Sequence, residues 1–294
     1  MQDVARVACI QAEPVIFERE ATIEKLTALA REAAGGGAQL ALFPETFVPV
    51  YPSNRWARHL AHGSEGAKLW ARLAQQSVEL PSKGLERAAR AAGIWLAVGV
   101  NELERGTIYN TLLLYAPDGT LALHHRKLVP TNHERLVWGQ GDGRGLETVG
   151  TAAGRVGGLI CWENLMPLAR FALYEQGVET YLAPTADDGD GWQESIRHIA
   201  RESRAFVLSC CVLQRASSYP ADVPLADGDE LLGRGGSAIV APDGSYLAGP
   251  LWDEEGILYA DLDPAVLYAA RQRFDPAGHY HRPDVLSLTV TPNS

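Results

Sequence analysis

The sequence predicts an α/β fold: an α-β-β-α sandwich of two sheets packed face to face, with helices outside, in one domain over residues 1–294. Three observations carry that reading. Short β-rich runs alternate with helical segments from end to end, the pattern of sheets covered by helices. The order strand–helix–strand and then hairpin occurs in each half, with the tetrapeptide APDG at the hairpin both times, at 116–119 and 241–244. No Pro/Gly/Ser-rich linker or shift in composition divides the chain.

The elements follow in order. Residues 4–11 (VARVACIQ) read as a strand. Residues 20–34 read as a helix, because Ile23, Leu26, Ala30 and Ala33 recur at helical spacing and three glycines at 35–37 stop it. Residues 40–43 (LALF) form a short buried-type strand that ends at Pro44, and 64–76 and 82–92 read as helices, the second closed by Gly93. A strand at 94–100 precedes two strands within 109–124 around the first APDG. In the second half, a strand at 155–160 runs straight into Cys161, followed by a helix at 167–176, a strand at 180–183, a helix at 192–204 and a strand at 206–213. Two or three strands within 236–259 surround the second APDG, and 219–235 reads as a loop that could cover a pocket.

Composition narrows the function classes. With 294 residues, 46% hydrophobic and 21% charged, the chain can bury a substantial core without staples. A net charge of −10 argues against a dominant basic surface for nucleic acid or for an anionic membrane. No run of about 18 apolar residues is present, and the first residues lack the pattern of a secretory leader, so the expectation is a cytoplasmic protein. The four cysteines, at 9, 161, 210 and 211, form neither a disulfide framework nor a CxxC zinc pair. No metal site is expected: His279, His281 and Asp284 match no ligand spacing that chemistry justifies.

Chemistry concentrates at strand ends. Cys9 lies inside an apolar strand, and Cys210 and Cys211 alternate across another, so all three read as packing residues. Cys161 sits where a strand ends, the position at which α/β sheets build their sites. A thiol with an ordinary pKa of about 8.5 is mostly protonated at neutral pH and needs a base or a cation beside it. Glu45, after the strand 40–43 in LFPETF, is a candidate general base whose pKa apolar neighbours such as Phe43 and Phe47 would raise; a capping or salt-bridged role is the alternative. Lys127, in HHRKLVP, is a candidate donor to a developing anion, with a solvated surface lysine as the alternative. Glu134, in TNHERLVWG, adds a second carboxylate. His124 and His125 point to opposite faces of a strand and cannot easily share a metal.

Glu45 in FPETF, Lys127 in HRKLVPT and Cys161 in GGLICWEN, in that order, resemble the Glu–Lys–Cys set of the nitrilase superfamily of carbon–nitrogen hydrolases. The resemblance extends over HERLVWGQGDG (133–143), the segments 161–187 and 198–210, GGSAIVAPDG (235–244) and FDPAGHYHRPDV (274–285), nearly the whole chain. CWEN, APTAD and GHYHRPD look like the true nitrilase branch. It implies a sandwich that pairs into an α-β-β-α-α-β-β-α homodimer and larger homo-oligomers. It also implies hydrolysis of a small-molecule nitrile to acid and ammonia without a cofactor. Cys161 would be nucleophile, Glu45 base, Lys127 the group stabilising negative charge, and Glu134 would orient Lys127 or substrate. Trp162, Tyr51 and Thr185 are the candidate substrate-binding residues. A cyanide dihydratase or amidase on the same scaffold is the nearest alternative, and a non-catalytic oligomeric binding protein the alternative from another class.

Overall fold

The computed structural model describes residues 1–61, 63–225 and 230–292. In chain order the first half contains β1 (Ala5–Gln11), α1 (Arg19–Gly35), β2 (Leu40–Leu42), α2 (Asn54–Ala57), α3 (Gly63–Gln76), α4 (Lys83–Ala92), β3 (Trp95–Glu104), β4 (Thr107–Tyr115) and β5 (Leu121–Arg126). The second half contains β6 (Val149–Thr151), β7 (Gly154–Gly158), α5 (Pro167–Glu175), β8 (Thr180–Leu182), α6 (Asp190–Ser203), β9 (Phe206–Ser209), β10 (Leu213–Arg215), β11 (Leu231–Val240), β12 (Tyr246–Trp252), β13 (Gly256–Leu262) and α7 (Pro264–Arg273).

The strands form two sheets, ordered β13-β1-β2-β3-β4-β5 and β10-β11-β9-β8-β7-β6, with β12 on β11. The halves repeat one plan. In the first sheet β1, β2 and β3 are parallel and β4 returns antiparallel; in the second β7, β8 and β9 are parallel and β11 returns antiparallel. Strand alternation makes the layers. In β1, Val7 and Cys9 enter the core between the sheets, while Ala8 and Ile10 face a second core against Leu26 and Ala30 of α1 and Leu85 and Ala89 of α4. On the other side, Tyr181 and Val207 pack under Leu173 of α5 and Trp192, Ile196 and Ile199 of α6. The order of layers is therefore α-β-β-α. The cysteines obey the same alternation, with Cys210 between the sheets and Cys211 on the helix side.

Three local expectations change. The strand expected at 206–213 is two strands: between them Cys211 keeps a parallel bridge to Thr185, just after β8, while its own N–H turns to Ser237 Oγ at 2.8 Å, and β10 then pairs with β11 alone. The loop expected at 219–235 ends earlier, since β11 begins at Leu231; residues 226–229 of that stretch lie outside the described residues. The strands expected at 236–259 do not all stay in the second half. β13 crosses to pair antiparallel with β1, covering that edge and adding Ala260 and Leu262 to the core between the sheets. Among the described residues, no helix is long and apolar enough to cross a membrane.

Candidate active site

Glu45, Lys127 and Cys161 come from three strand ends and meet where the two sheets face each other. Glu45 follows β2 after Pro44 ends the ladder. Thr46 then turns the chain with φ 42°, in the left-handed region. The turn lies on β3 at Gly99, where an added Cβ would run into Pro44 O, Thr46 N and Glu45 Cα, so only glycine lets Glu45 approach this closely. Glu45 is fully buried. Phe43 and Phe47, expected to desolvate it, instead pack on each other at 5.1 Å in the helix-facing core.

Lys127 follows β5, and its N–H bonds Asn110 O at 2.8 Å. Its Nζ donates to Glu45 Oε1 at 2.8 Å and to Glu134 Oε2 at 2.8 Å, so the surface alternative for this lysine is gone. Glu134 is held in turn by Tyr51 Oη, which donates to Oε1 at 2.9 Å, and by Thr131 N–H, which donates to Oε2 at 2.6 Å in a capping box. Asn110 Nδ2 donates to Glu45 Oε1 at 2.7 Å. Glu45 Oε1 is thereby saturated. Its Oε2 is buried and has no hydrogen-bond partner among the described residues.

Cys161 follows β7 and opens a single 3₁₀ turn, Cys161–Leu165. Its φ of 52° is left-handed, a conformation a non-glycine residue keeps only where surrounding contacts impose it, at a cost of roughly 1–3 kcal/mol. Those contacts are present. Cys161 N–H donates to Pro184 O at 2.9 Å, and Cys161 O accepts from Asn164 Nδ2 at 2.8 Å. Thr185 Oγ1 donates to Cys161 Sγ at 3.1 Å. Trp162 is 49% exposed, which excludes it from the core; its indole N–H donates to Asp187 Oδ2 at 2.7 Å.

Burial and the ion pairs together shift all three groups. Burial raises the Glu45 carboxyl above its ordinary value, against the pull of Lys127. Burial and the Glu45 charge push the Cys161 thiol up to about 12, with Lys127 opposing. Burial alone would lower Lys127, but Glu45, Cys161 and Glu134 outweigh it and hold the ammonium protonated through the neutral range. A thiol this basic is protonated at neutral pH, so a nucleophilic role for it would need a base beside it.

Two site residues were not singled out from the sequence. Asn110 holds both Glu45 and the Lys127 backbone; its signal was a polar side chain in the apolar strand TIYNTLLLY. Glu163 was visible only as a letter of CWEN. Fully buried, it accepts from Ile160 N–H at 2.8 Å, Leu128 N–H at 2.6 Å and His125 Nε2 at 3.0 Å. Burial alone would raise its carboxyl; His125 and the two N–H groups reverse this and hold it below its ordinary value. Glu163 thus ties the residue before Cys161 to the residue after Lys127, across the two sheets. In Glu163→Gln the amide N–H₂ must face one of those donors. We expect a lower kcat with little change in KM and a stability loss of about 2 kcal/mol, read by steady-state kinetics and thermal melting. An unchanged kcat would show that this tie does not position the site.

Two other histidines weighed from the sequence are placed elsewhere. His124 points away from His125, to Glu102 Oε2 at 2.8 Å, and His281 Nε2 lies 3.5 Å from Glu175 Oε1. Among the described residues no group of three His, Cys, Asp or Glu side chains is arranged to hold a metal ion.

Residues 6–272 match the family described as carbon–nitrogen hydrolase. An aliphatic nitrilase of Sinorhizobium fredii is 46% identical over 293 residues, 97% of this chain and 95% of the relative. Nitrilase 2 of Arabidopsis thaliana is 40% identical over 300 residues, 98% of this chain and 88% of the relative. The crystal structure of a carbon–nitrogen hydrolase from Helicobacter pylori G27 superposes with a TM-score of 0.73 at 20% identity, covering 96% of each chain.

Proposed function

We propose, from the premise that this chain belongs to the carbon–nitrogen hydrolase family, that it hydrolyses an organic nitrile to the carboxylic acid and ammonia through intermediates bound to Cys161. The observation that carries the reading is Glu45 Oε2, buried and unpaired beside a lysine whose charge its own Oε1 already holds. Sγ of Cys161 attacks the nitrile carbon as its proton passes to Glu45 Oε2, and a π pair of the C≡N bond moves to nitrogen. Lys127 faces that charge, with the N–H of Trp162 as a second donor in a turn whose first N–H groups lack intrahelical acceptors. Each such donor is worth about 3–4 kcal/mol. Protonation of the nitrogen gives a thioimidate. Water adds, ammonia leaves and a thioester remains; a second water, activated by Glu45, releases the acid and restores the thiol.

Glu134 is the positioning carboxylate, which Tyr51 and Thr131 aim at Lys127. Trp162 and Tyr51 are the proposed walls of the substrate pocket. Nitrile substrates, rather than amides, follow from the two relatives' names and their extent along the chain. The test is ammonia and acid release from aliphatic nitriles, dinitriles, arylacetonitriles, benzonitrile, cyanide and the matching amides. Turnover of organic nitriles is expected. Release from amides alone, or from cyanide alone, would replace this reading with the amidase or the cyanide dihydratase.

A further inference from the structure

We propose that Thr185 is a catalytic residue, a fixed hydroxyl donor that stabilises the charge on Cys161 Sγ each time the sulfur loses its proton or its acyl group. The proposal rests on the reading of Cys161 as nucleophile. It moves Thr185 from substrate recognition, its expected role, to the reacting atom itself.

The direction of the hydrogen bond decides the role. A threonine hydroxyl has one proton and two lone pairs. Asp187 N–H donates to Thr185 Oγ1 at 2.9 Å, which makes the oxygen the acceptor in that contact. The hydroxyl proton is directed to Cys161 Sγ, at 3.1 Å. Thr185 is fully buried, so no solvent competes for it. Its position is locked on both sides: Thr185 N–H donates to Cys210 O at 3.0 Å and Thr185 O accepts from Val212 N–H at 2.9 Å. Branching at Cβ further restricts rotation of the side chain. The neighbouring Pro184 carbonyl holds the Cys161 N–H, so one segment clamps the nucleophile by its backbone and its sulfur. Asp187 also ties this segment to the mouth of the site, because its carboxylate accepts from the Trp162 indole and from Gly189 N–H. The hydroxyl opposes the effect of burial on the thiol, in the direction such a donor requires.

The proton balance is simple. On attack the S–H bond breaks, its proton goes to Glu45 and the sulfur pair forms the S–C bond, while Thr185 keeps its own O–H bond. On release of the acid the S–C bond breaks and its pair returns to sulfur, which faces the same O–H until the proton comes back from Glu45. No co-reactant is needed.

The test compares Thr185→Val, which keeps the shape and removes the donor, with Thr185→Ser, which keeps the donor. Two quantities are read: the rate of Cys161 alkylation by iodoacetamide at pH 7–9.5, followed by mass spectrometry of the peptide that carries it, and kcat and KM on a nitrile. A hydrogen bond to a charged group is worth a factor of roughly ten to a hundred. Thr185→Val is expected to be alkylated more slowly by that factor at every pH, with a matching fall in kcat and little change in KM. Thr185→Ser is expected to stay near wild type in both. If Thr185→Val does not fold, as read by its melting curve, Thr185→Ala serves as the variant without the donor. Alkylation of the donor-free variant at the wild-type rate, or equal slowing in Thr185→Ser, would overturn the proposal. Alkylation needs no nitrile, so a wild-type enzyme that turned over no nitrile would sink the proposed function and leave this measurement readable.

Discussion

Cys161→Ala is expected to release no ammonia from any nitrile above background while remaining folded. The loss should be on the order of a millionfold in kcat, the size seen when a covalent nucleophile is removed from a serine hydrolase. On the proposed mechanism the large effect comes from the number of steps that pass through one atom: attack on the nitrile, departure of ammonia and hydrolysis of the thioester. Folding should survive because the clamp on this residue is mostly backbone. Cys161 N–H to Pro184 O and Asn164 Nδ2 to Cys161 O do not involve the sulfur. The left-handed φ strains alanine as it strains cysteine. What the variant does lose is the acceptor for the Thr185 hydroxyl, a stability penalty of about 1–3 kcal/mol for a buried donor left unmet. Thermal melting alongside the ammonia assay separates loss of chemistry from loss of fold.

Lys127→Met is expected to damage both activity and stability. Methionine fills similar space but removes the cation that pairs with both Glu45 Oε1 and Glu134 Oε2. Breaking a buried ion pair from one side typically costs 3–5 kcal/mol, because the remaining charge has no partner. Turnover should fall at least a thousandfold, since charge on the substrate nitrogen loses its main donor. The pH dependence has a definite sign. Glu45 is already raised by burial, and Lys127 is the largest influence that lowers it. Without Lys127 the carboxyl rises further, so the acid limb of any residual activity moves to higher pH. A group whose folded pKa lies above its unfolded value stabilises the fold at low pH and loses that contribution as pH rises through the folded value. The stability gap between wild type and Lys127→Met should therefore be wider at pH 8 than at pH 5. Thermal melts at the two pH values check this, and a gap that is equal or reversed would contradict the buried network.

The layered fold was legible because its signals are local. Alternation in VARVACIQ, helical spacing at Ile23, Leu26, Ala30 and Ala33, and the repeated APDG hairpins each report the face a residue will bury. The crossing of β13 to β1 was not legible, because antiparallel pairing across some 250 residues leaves no mark on either strand alone. Glu45 and Cys161 could be found because each follows a short apolar run that ends, and Lys127 because it follows the second strand of the first hairpin; the structure brings all three together. Asn110 and Glu163 act through hydrogen bonds to groups distant in sequence, 65 residues away for the Asn110–Glu45 bond and 38 for the Glu163–His125 contact. No spacing rule reaches that far. Trp162, a candidate substrate-binding residue from the sequence, is too exposed to belong to the core.

The central claim is that a nitrile becomes covalently attached to Cys161 on its way to the acid. The most direct measurement is the mass of acid-quenched protein during turnover of the nitrile it hydrolyses fastest, with the adduct mapped by peptide. The expected result is a gain matching the thioimidate or acyl group, carried by the peptide containing Cys161 and absent from Cys161→Ala. Ammonia release at full rate with Cys161 unmodified, and persisting in Cys161→Ala, would contradict the account.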